Sequence, residues 1–242
     1  VNDLPEAATD TATTDEDTAT TIGVLANDTD VESDSLEITR VGRPRQGTVT
    51  QNDDGTLTYT PNANFAGTDS FTYQVRDEDG GTATGTVNVT VNAVNDAPSA
   101  VDDRASINEE GTATVAVLRN DTDIDRDTLS VSVQGAPNGT VSVDERGNIV
   151  YVAGGNFTGT ETLTYTVLDG NGGSDTGTLT VEVRPVNDLP TATTDTATVA
   201  EDGTVDIDVA ANDSDVESGD LTVTRLGRPQ HGTVRLNEDG TI

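Results

Sequence analysis

The sequence predicts an all-β protein, a tandem row of seven-stranded sandwiches. Three observations carry this: a long internal repeat, short blocks of alternating apolar and polar residues, and turn residues at regular intervals. "VNDLP" begins at Val1, "VNDAP" at Val94 and "VNDLP" again at Val186, giving periods of 93 and 92 residues. A solenoid unit is shorter, about 20–50 residues, whereas a complete small sandwich takes about 100. The copies therefore run 1–93, 94–185 and 186–242. The third reaches only Ile242, the counterpart of Leu57, so it lacks the C-terminal strands. An open sandwich leaves strand edges unpaired, so this copy is expected not to close alone but to be completed by another chain or a continuation.

Within copy one, strand A falls at 8–14, B at 18–25, C at 36–41, D at 47–51, E at 56–60, F at 69–76 and G at 82–92. F reads "SFTYQVRD" and G "GTVNVTVN"; copy two gives "LTYTVLD" and "GTLTVEVR". Each alternates with the period of two that marks a half-buried strand. Gly, Asn, Asp and Pro separate the blocks. Tyr59, Phe71, Tyr73, Tyr151 and Tyr165 fall in strands as core residues, and Phe65 and Phe157 recur just before F, where they plug the sandwich bottom. Seven short antiparallel strands form an immunoglobulin-like Greek-key sandwich, and the linker motif between copies makes an extended rod of such beads.

Composition narrows the function. The 242 residues carry 44 acidic and 12 basic groups, a formal charge of −32. That charge opposes phosphate neutralisation, so nucleic acid is excluded as a partner, and an anionic membrane would repel it. Multivalent cations are the natural counter-charge. No apolar run approaches the roughly 20 residues of a membrane span. With no Cys there are no disulfides, so a crosslink must come from elsewhere, such as metal. This suits a bacterial surface context or an export route that does not oxidise thiols. Val1 opens directly into the linker motif, as in a piece of something longer.

The stretch "NDTDIDRDTL" places Asp121, Asp123, Asp125 and Asp127 at every second position. Two carboxylates about 4 Å apart repel by roughly 4 kcal/mol at an effective dielectric near 20. Strand parity suggests why they are tolerated. If A runs downward, the BC and FG loops lie at the top of a sandwich, and the AB and EF loops lie at the bottom. The top of copy two then offers Asp121, Asp123, Asp125 and Asp127 (BC) with Asp169 and Asn171 (FG), beside linker residues Asn95 and Asp96. The bottom of copy one offers Glu16 and Asp17 (AB) and Asp69 (EF). At the next junction stand Glu109, Glu110, Glu161, Asn187, Asp188, Asp213, Asp215 and Glu217, and copy one carries the matching Asn2, Asp3, Asp28, Asp30, Glu32 and Asp77. Many hard oxygens without Cys or clustered His select calcium, which takes six to eight oxygen ligands. An acidic loop is ordinarily solvated surface, and Asp53, Asp54, Glu78, Asp144 and Glu145 read that way. Recurrence at both junctions favours an ion. The loop is not an EF-hand: counted from Asp121, the sixth position is Arg126 rather than Gly, and the twelfth is Ser132 rather than Glu.

The "VNDAP" linker, the "NDxDxD" loop, the "NFxGT" block and the "DGNGG" turn resemble the cadherin-like tandem repeats of large bacterial surface adhesins, including extender regions of RTX adhesins exported by type I secretion. The resemblance covers the whole chain. It implies calcium at domain junctions, on the linker Asn-Asp pairs, the AB acids and the BC aspartates. It also implies an extracellular spacer that supports attachment or biofilm formation, with any surface ligand bound elsewhere in the parent. Departures, such as Glu32 and Glu217 where copy two has Asp125, leave the number of ions per junction open.

Two other functions compete. A glycan- or protein-binding module would present aromatic platforms, but the seven Phe and Tyr are placed by strand or core pattern. For an enzyme, the one histidine, His231, stands where the other copies have Gln46 and Asn138, and no nucleophile–base pair is visible.

Overall fold

A computed structural model describes residues 2–32 and 35–242. Val1, the first residue of the first linker motif, lies outside them. The chain divides into two compact units. The first comprises the described residues through Pro98, with Asp123–Thr128 and Asp169–Gly173; the second comprises Ser99–Thr122, Leu129–Leu168 and Ser174–Ile242. The division therefore does not follow the sequence repeats: the tips of the BC and FG loops of copy two group with copy one.

Copy one runs β1 (Thr9–Asp15), β2 (Thr20–Ile22), β3 (Glu37–Val41), β4 (Gly47–Gln51), β5 (Leu57–Pro61), β6 (Gly67–Arg76) and β7 (Thr82–Asn92). Copy two repeats the order as β8 (Asp103–Asn108), β9 (Thr112–Val115), β10 (Ser130–Val133), β11 (Gly139–Val143), β12 (Ile149–Ala153), β13 (Gly159–Leu168) and β14 (Ser174–Arg184). Each makes a four-stranded sheet, β1-β7-β6-β3 or β8-β14-β13-β10, and a three-stranded one, β2-β5-β4 or β9-β12-β11. This is the expected two-sheet sandwich, with two corrections. β1 pairs with β7, and β8 with β14, in parallel rather than antiparallel. The expected strand B stops early, and the chain turns into a short 3-10 helix, Val24–Ala26 in copy one and Val117–Arg119 in copy two. That turn buries Val24 and Val117, which a straight strand would carry past the core.

The core follows from the alternation. Phe71, Tyr73 and Val75 on β6, Val87, Val89 and Val91 on β7, and Leu57 and Tyr59 on β5 pack together. Leu163, Tyr165, Val167, Leu179, Val181, Val183, Ile149 and Tyr151 repeat the arrangement. Each such side chain contributes about 1.5–3 kcal/mol by leaving water. Phe65 and Phe157 pack against the two cores as expected.

Residues 187–242 contain no strand of their own; besides local turns, their backbone pairing is an isolated bridge, Thr191 to Ser214, and a reciprocal pair between Ile207 and Ile242. None of them is buried. The physical reason is visible in copy one, where β6 and β7 supply most of the buried side chains and have no counterpart among these residues. No helix among the described residues is long and apolar enough to cross a membrane.

Candidate metal centre

The acidic loops are ordered by backbone donors. In every copy the N–H of the linker aspartate donates to an acid 29 residues on: Asp3 to Glu32 (3.4 Å), Asp96 to Asp125 (2.8 Å) and Asp188 to Glu217 (3.2 Å). The loops curl around their own aspartates. Asp30 accepts the N–H of Glu32, Asp123 that of Asp127, and Asp215 those of Glu217 and Ser218. The FG acid closes its own turn: Asp169 accepts the N–H groups of Asn171, Gly172 and Gly173 and the Asn95 amide. The Asn95 bond, backed by the three backbone donors, holds the Asp169 carboxyl below its ordinary range. Asp77 does the same work with Gly81 and Asn2. A β-carbon on Gly173 would stand 2.1 Å from Asp169 Oδ2 and 2.9 Å from the Ala97 backbone, so the turn requires glycine there.

Three acidic groups remain. In the first unit, Glu16, Asp17 and Asp96 each bring one oxygen within 4.8 Å of the others, and Asp123, Asp125 and Asp127 do the same. Asp96 joins the two, since its N–H holds Asp125. In the second unit Glu109, Asp188 and Glu217 form the third group. The AB glutamates are fixed by the chain leaving the sandwich: Glu16, 6% exposed, accepts the Val94 N–H at 2.6 Å, and Glu109 accepts that of Val186. Among the described residues the ion pairs are Arg76–Glu37 and Arg184–Glu182, neither of which touches these groups. At about 5 Å each uncompensated pair costs roughly 3 kcal/mol at an effective dielectric near 20. The Oδ2 atoms of Asp30, Asp96 and Asp123 are buried with no hydrogen-bond partner. Buried polar atoms are rarely left so. An all-oxygen, all-anionic donor set with orphaned buried oxygens fits a hard divalent cation, and calcium's six to eight oxygens at flexible geometry in particular.

The structure separates several residues that the spacing of the sequence had grouped. Asp69 lies in β6, not in a loop, and Asp69 and Glu161 face their own CD turns. Asp69 accepts the N–H groups of Arg45 and Gln46 and the Tyr59 hydroxyl. Glu161 accepts the N–H of Asn138. Glu110 is exposed, with left-handed backbone (φ 58°), outside the group formed by Glu109. Asn2 and Asn95 act as donors to Asp77 and Asp169, and Asn187 donates to the Asp188 carbonyl. Asp28, Asp121 and Asp213 accept the N–H groups of Ala8, Val101 and Thr193, on the segment that follows each linker. Asp121 accordingly falls in the second unit while Asp123 falls in the first. Asp54, which is exposed, and the half-buried Asp144 each accept N–H groups of their own tight turns. Sequence reasoning placed Asp127 in its loop group and gave no role to Asp10 and Asp103. The signal was present: Asp10, Asp103 and Asp195 each stand nine residues after the first residue of the linker motif.

Solved structures with this architecture include human CDH23 EC21-23, at 19% identity and TM-score 0.53, covering 90% of this chain and 81% of that one. Human protocadherin-24 EC1-2 matches at 16% identity and TM-score 0.52, covering 77% and 100%. They show that the fold is that of cadherin extracellular domains. Endo-fucoidan hydrolase MfFcnA4 from glycoside hydrolase family 107 matches at 21% identity with a TM-score of only 0.32, over 76% of this chain. The chain spans 29% of that hydrolase and 43% of the human desmocollin-1 ectodomain. No curated protein matches. The bacterial Ig domain family matches at residues 2–90, 95–182 and 187–242. With nearly its whole length accounted for by three successive matches, the chain belongs to the bacterial Ig domain family.

Proposed function

We propose that this chain is a calcium-rigidified spacer of a bacterial surface adhesin, of the kind found in type I secreted RTX adhesins, whose repeats hold an attachment or biofilm-forming region away from the cell. The observation that carries this reading is the pair of orphaned buried oxygens on Asp96 and Asp123. Asp96 groups with Glu16 and Asp17 of the AB turn, Asp123 groups with Asp125 and Asp127 of the next BC loop, and the Asp96 N–H on Asp125 joins the two; Glu109, Asp188 and Glu217 bring an AB turn, a linker and a BC loop into one group. An ion shared by those three segments would fix the linker, because moving it would strip ligands from the ion. The partners are then calcium and neighbouring repeats of the same chain. The boundaries 1–93, 94–185 and 186–242 are the units of that spacer, and chemistry on a substrate has no part in it.

Calcium titration by calorimetry, with chelator as control, tests the reading. A smaller number of bound ions when Asp96 and Asp123 are replaced by Asn supports it, together with small-angle scattering that changes from a flexible particle in chelator to an extended one in calcium. Identical scattering in both conditions would rule the spacer mechanism out.

A further inference from the structure

Beyond the linker groups, each sandwich has an acidic pocket of its own, with too many acceptors and too few protons. In copy two it lies where β8 begins, against β13 and the end of the 3-10 turn. Asp103 Oδ2 accepts the Tyr165 hydroxyl at 3.0 Å, and the same hydroxyl is 2.8 Å from the Val101 carbonyl. A hydroxyl has one proton, so it cannot satisfy both. Asp121 Oδ1 accepts the Val101 N–H at 2.8 Å, while its Oδ2 is buried and has no partner. Asp121 is only 9% exposed. Asp175 binds the N–H groups of Ala100 and Thr176 and adds a third negative charge. Among the described residues neither Asp103 nor Asp121 takes part in an ion pair.

Copy one repeats the pattern independently. The Tyr73 hydroxyl has four acceptors within 3.3 Å: both oxygens of Asp28 and the carbonyls of Ala8 and Val24. Asp10, 8% exposed, has a buried Oδ2 without a partner. Ala83 stands where copy two has Asp175, and Thr9 where it has Asp102, so this version carries less charge.

We propose that these pockets are intradomain cation sites for an oxygen-seeking divalent ion such as calcium, built from Asp103 and Asp121 at Tyr165, with the charge of Asp175 on the neighbouring Ala100, and, in weaker form, from Asp10 and Asp28 at Tyr73. An ion supplies what the pocket lacks: positive charge, and a partner for each orphaned oxygen. The buried carboxylates are then held apart by the ion rather than protonated. This site does not depend on the linker reading, because Asp103 and Asp175 belong to none of the linker groups.

Terbium, a luminescent calcium substitute, tests it in the full chain. With no Trp present, terbium emission must be sensitised by tyrosine, and Tyr165 touches the proposed site. Tyr165→Phe should remove a share of the emission. Asp103→Asn should remove the same share and lower the ion count by one, measured by equilibrium dialysis with calcium. Asp123→Asn, in the BC-loop group outside this pocket, should leave that share intact. Asp175→Ala, which installs the residue of copy one, guards against a folding defect and should weaken the same site. An unchanged ion count in both Asp103→Asn and Asp175→Ala, with unchanged emission in Tyr165→Phe, would overturn the proposal even if the linker binds calcium as proposed.

Discussion

The two tyrosine–aspartate pairs of copy one differ in a way that separates structural acids from ion-binding ones. At one, Tyr59 meets Asp69, and the carboxylate also receives the N–H groups of Arg45, Gln46 and Ser70. Burial alone would raise its pKa, but these donors outweigh it and the pKa is lowered. At the other, Tyr73 meets Asp10 and Asp28; burial is not offset there, and the Asp10 carboxyl is raised. Both ends place a buried aspartate against a buried tyrosine hydroxyl. What differs is the supply of N–H groups. An acid surrounded by donors is complete without an ion, whereas an acid surrounded by acceptors is not.

The largest test of this contrast is calcium itself. An ion bound only by the folded chain contributes about 2.7 kcal/mol per site at a hundredfold excess over its dissociation constant. Melting should therefore move upward by many degrees between chelator and calcium at matched ionic strength. Identical melting curves would break the distinction at the acceptor-rich end. The donor-rich end should behave the other way. Asp69→Ala leaves buried N–H groups unpaired and should cost about 1–3 kcal/mol, by the same amount in calcium and in chelator. A cost that appeared only in calcium would make Asp69 a ligand after all.

Gly85→Ala sharpens the comparison from the packing side. Its β-carbon would stand 2.3 Å from the Tyr73 ring. Overpacking of this kind costs about 1–3 kcal/mol, and by displacing the hydroxyl it should also weaken terbium emission sensitised at Asp10 and Asp28. Unchanged stability and emission would mean that Tyr73 does not define the pocket.

The smallest expected effect is the pH dependence in chelator, which has opposite signs at the two ends. Asp69 has a folded pKa below its ordinary 3.8, so its contribution is full above 3.8 and is lost as pH falls through the lower folded value. Asp10, Asp103 and Asp121 have folded values above 3.8. There the folded state binds more protons than the unfolded one, so their destabilising effect is full above the folded value and is relieved as pH falls towards 3.8. Chemical denaturation in chelator should show stability rising and then falling on acidification, with calcium suppressing the rise. A monotonic fall in chelator would contradict the raised group.

The strands were readable because alternation places Phe71, Tyr73 and Val75 on one face and polar residues on the other. The parallel pairing of β1 with β7 was not: a strand's composition does not reveal which edge of a sheet it joins. The early end of strand B was hidden for a related reason. Val24 and Val117 look like further strand residues, and only the need to reach the core turns the chain there.

The acidic chemistry divides in the same way. The sequence by itself determined the repeat, the sandwich class, the excess of negative charge, and the loops where carboxylates would crowd. Those are properties of residue types and their spacing. Only the tertiary structure decided which carboxylates are complete. Asp121 and Asp123 are two residues apart, yet one is held by Val101 and the other by Asp127. Asp69 is completed by Arg45 and Gln46 and not by their charged or amide side chains. The deciding donors are backbone N–H groups, carried by every residue except proline. They leave no mark in the sequence, and they acquire a direction only when distant segments pack.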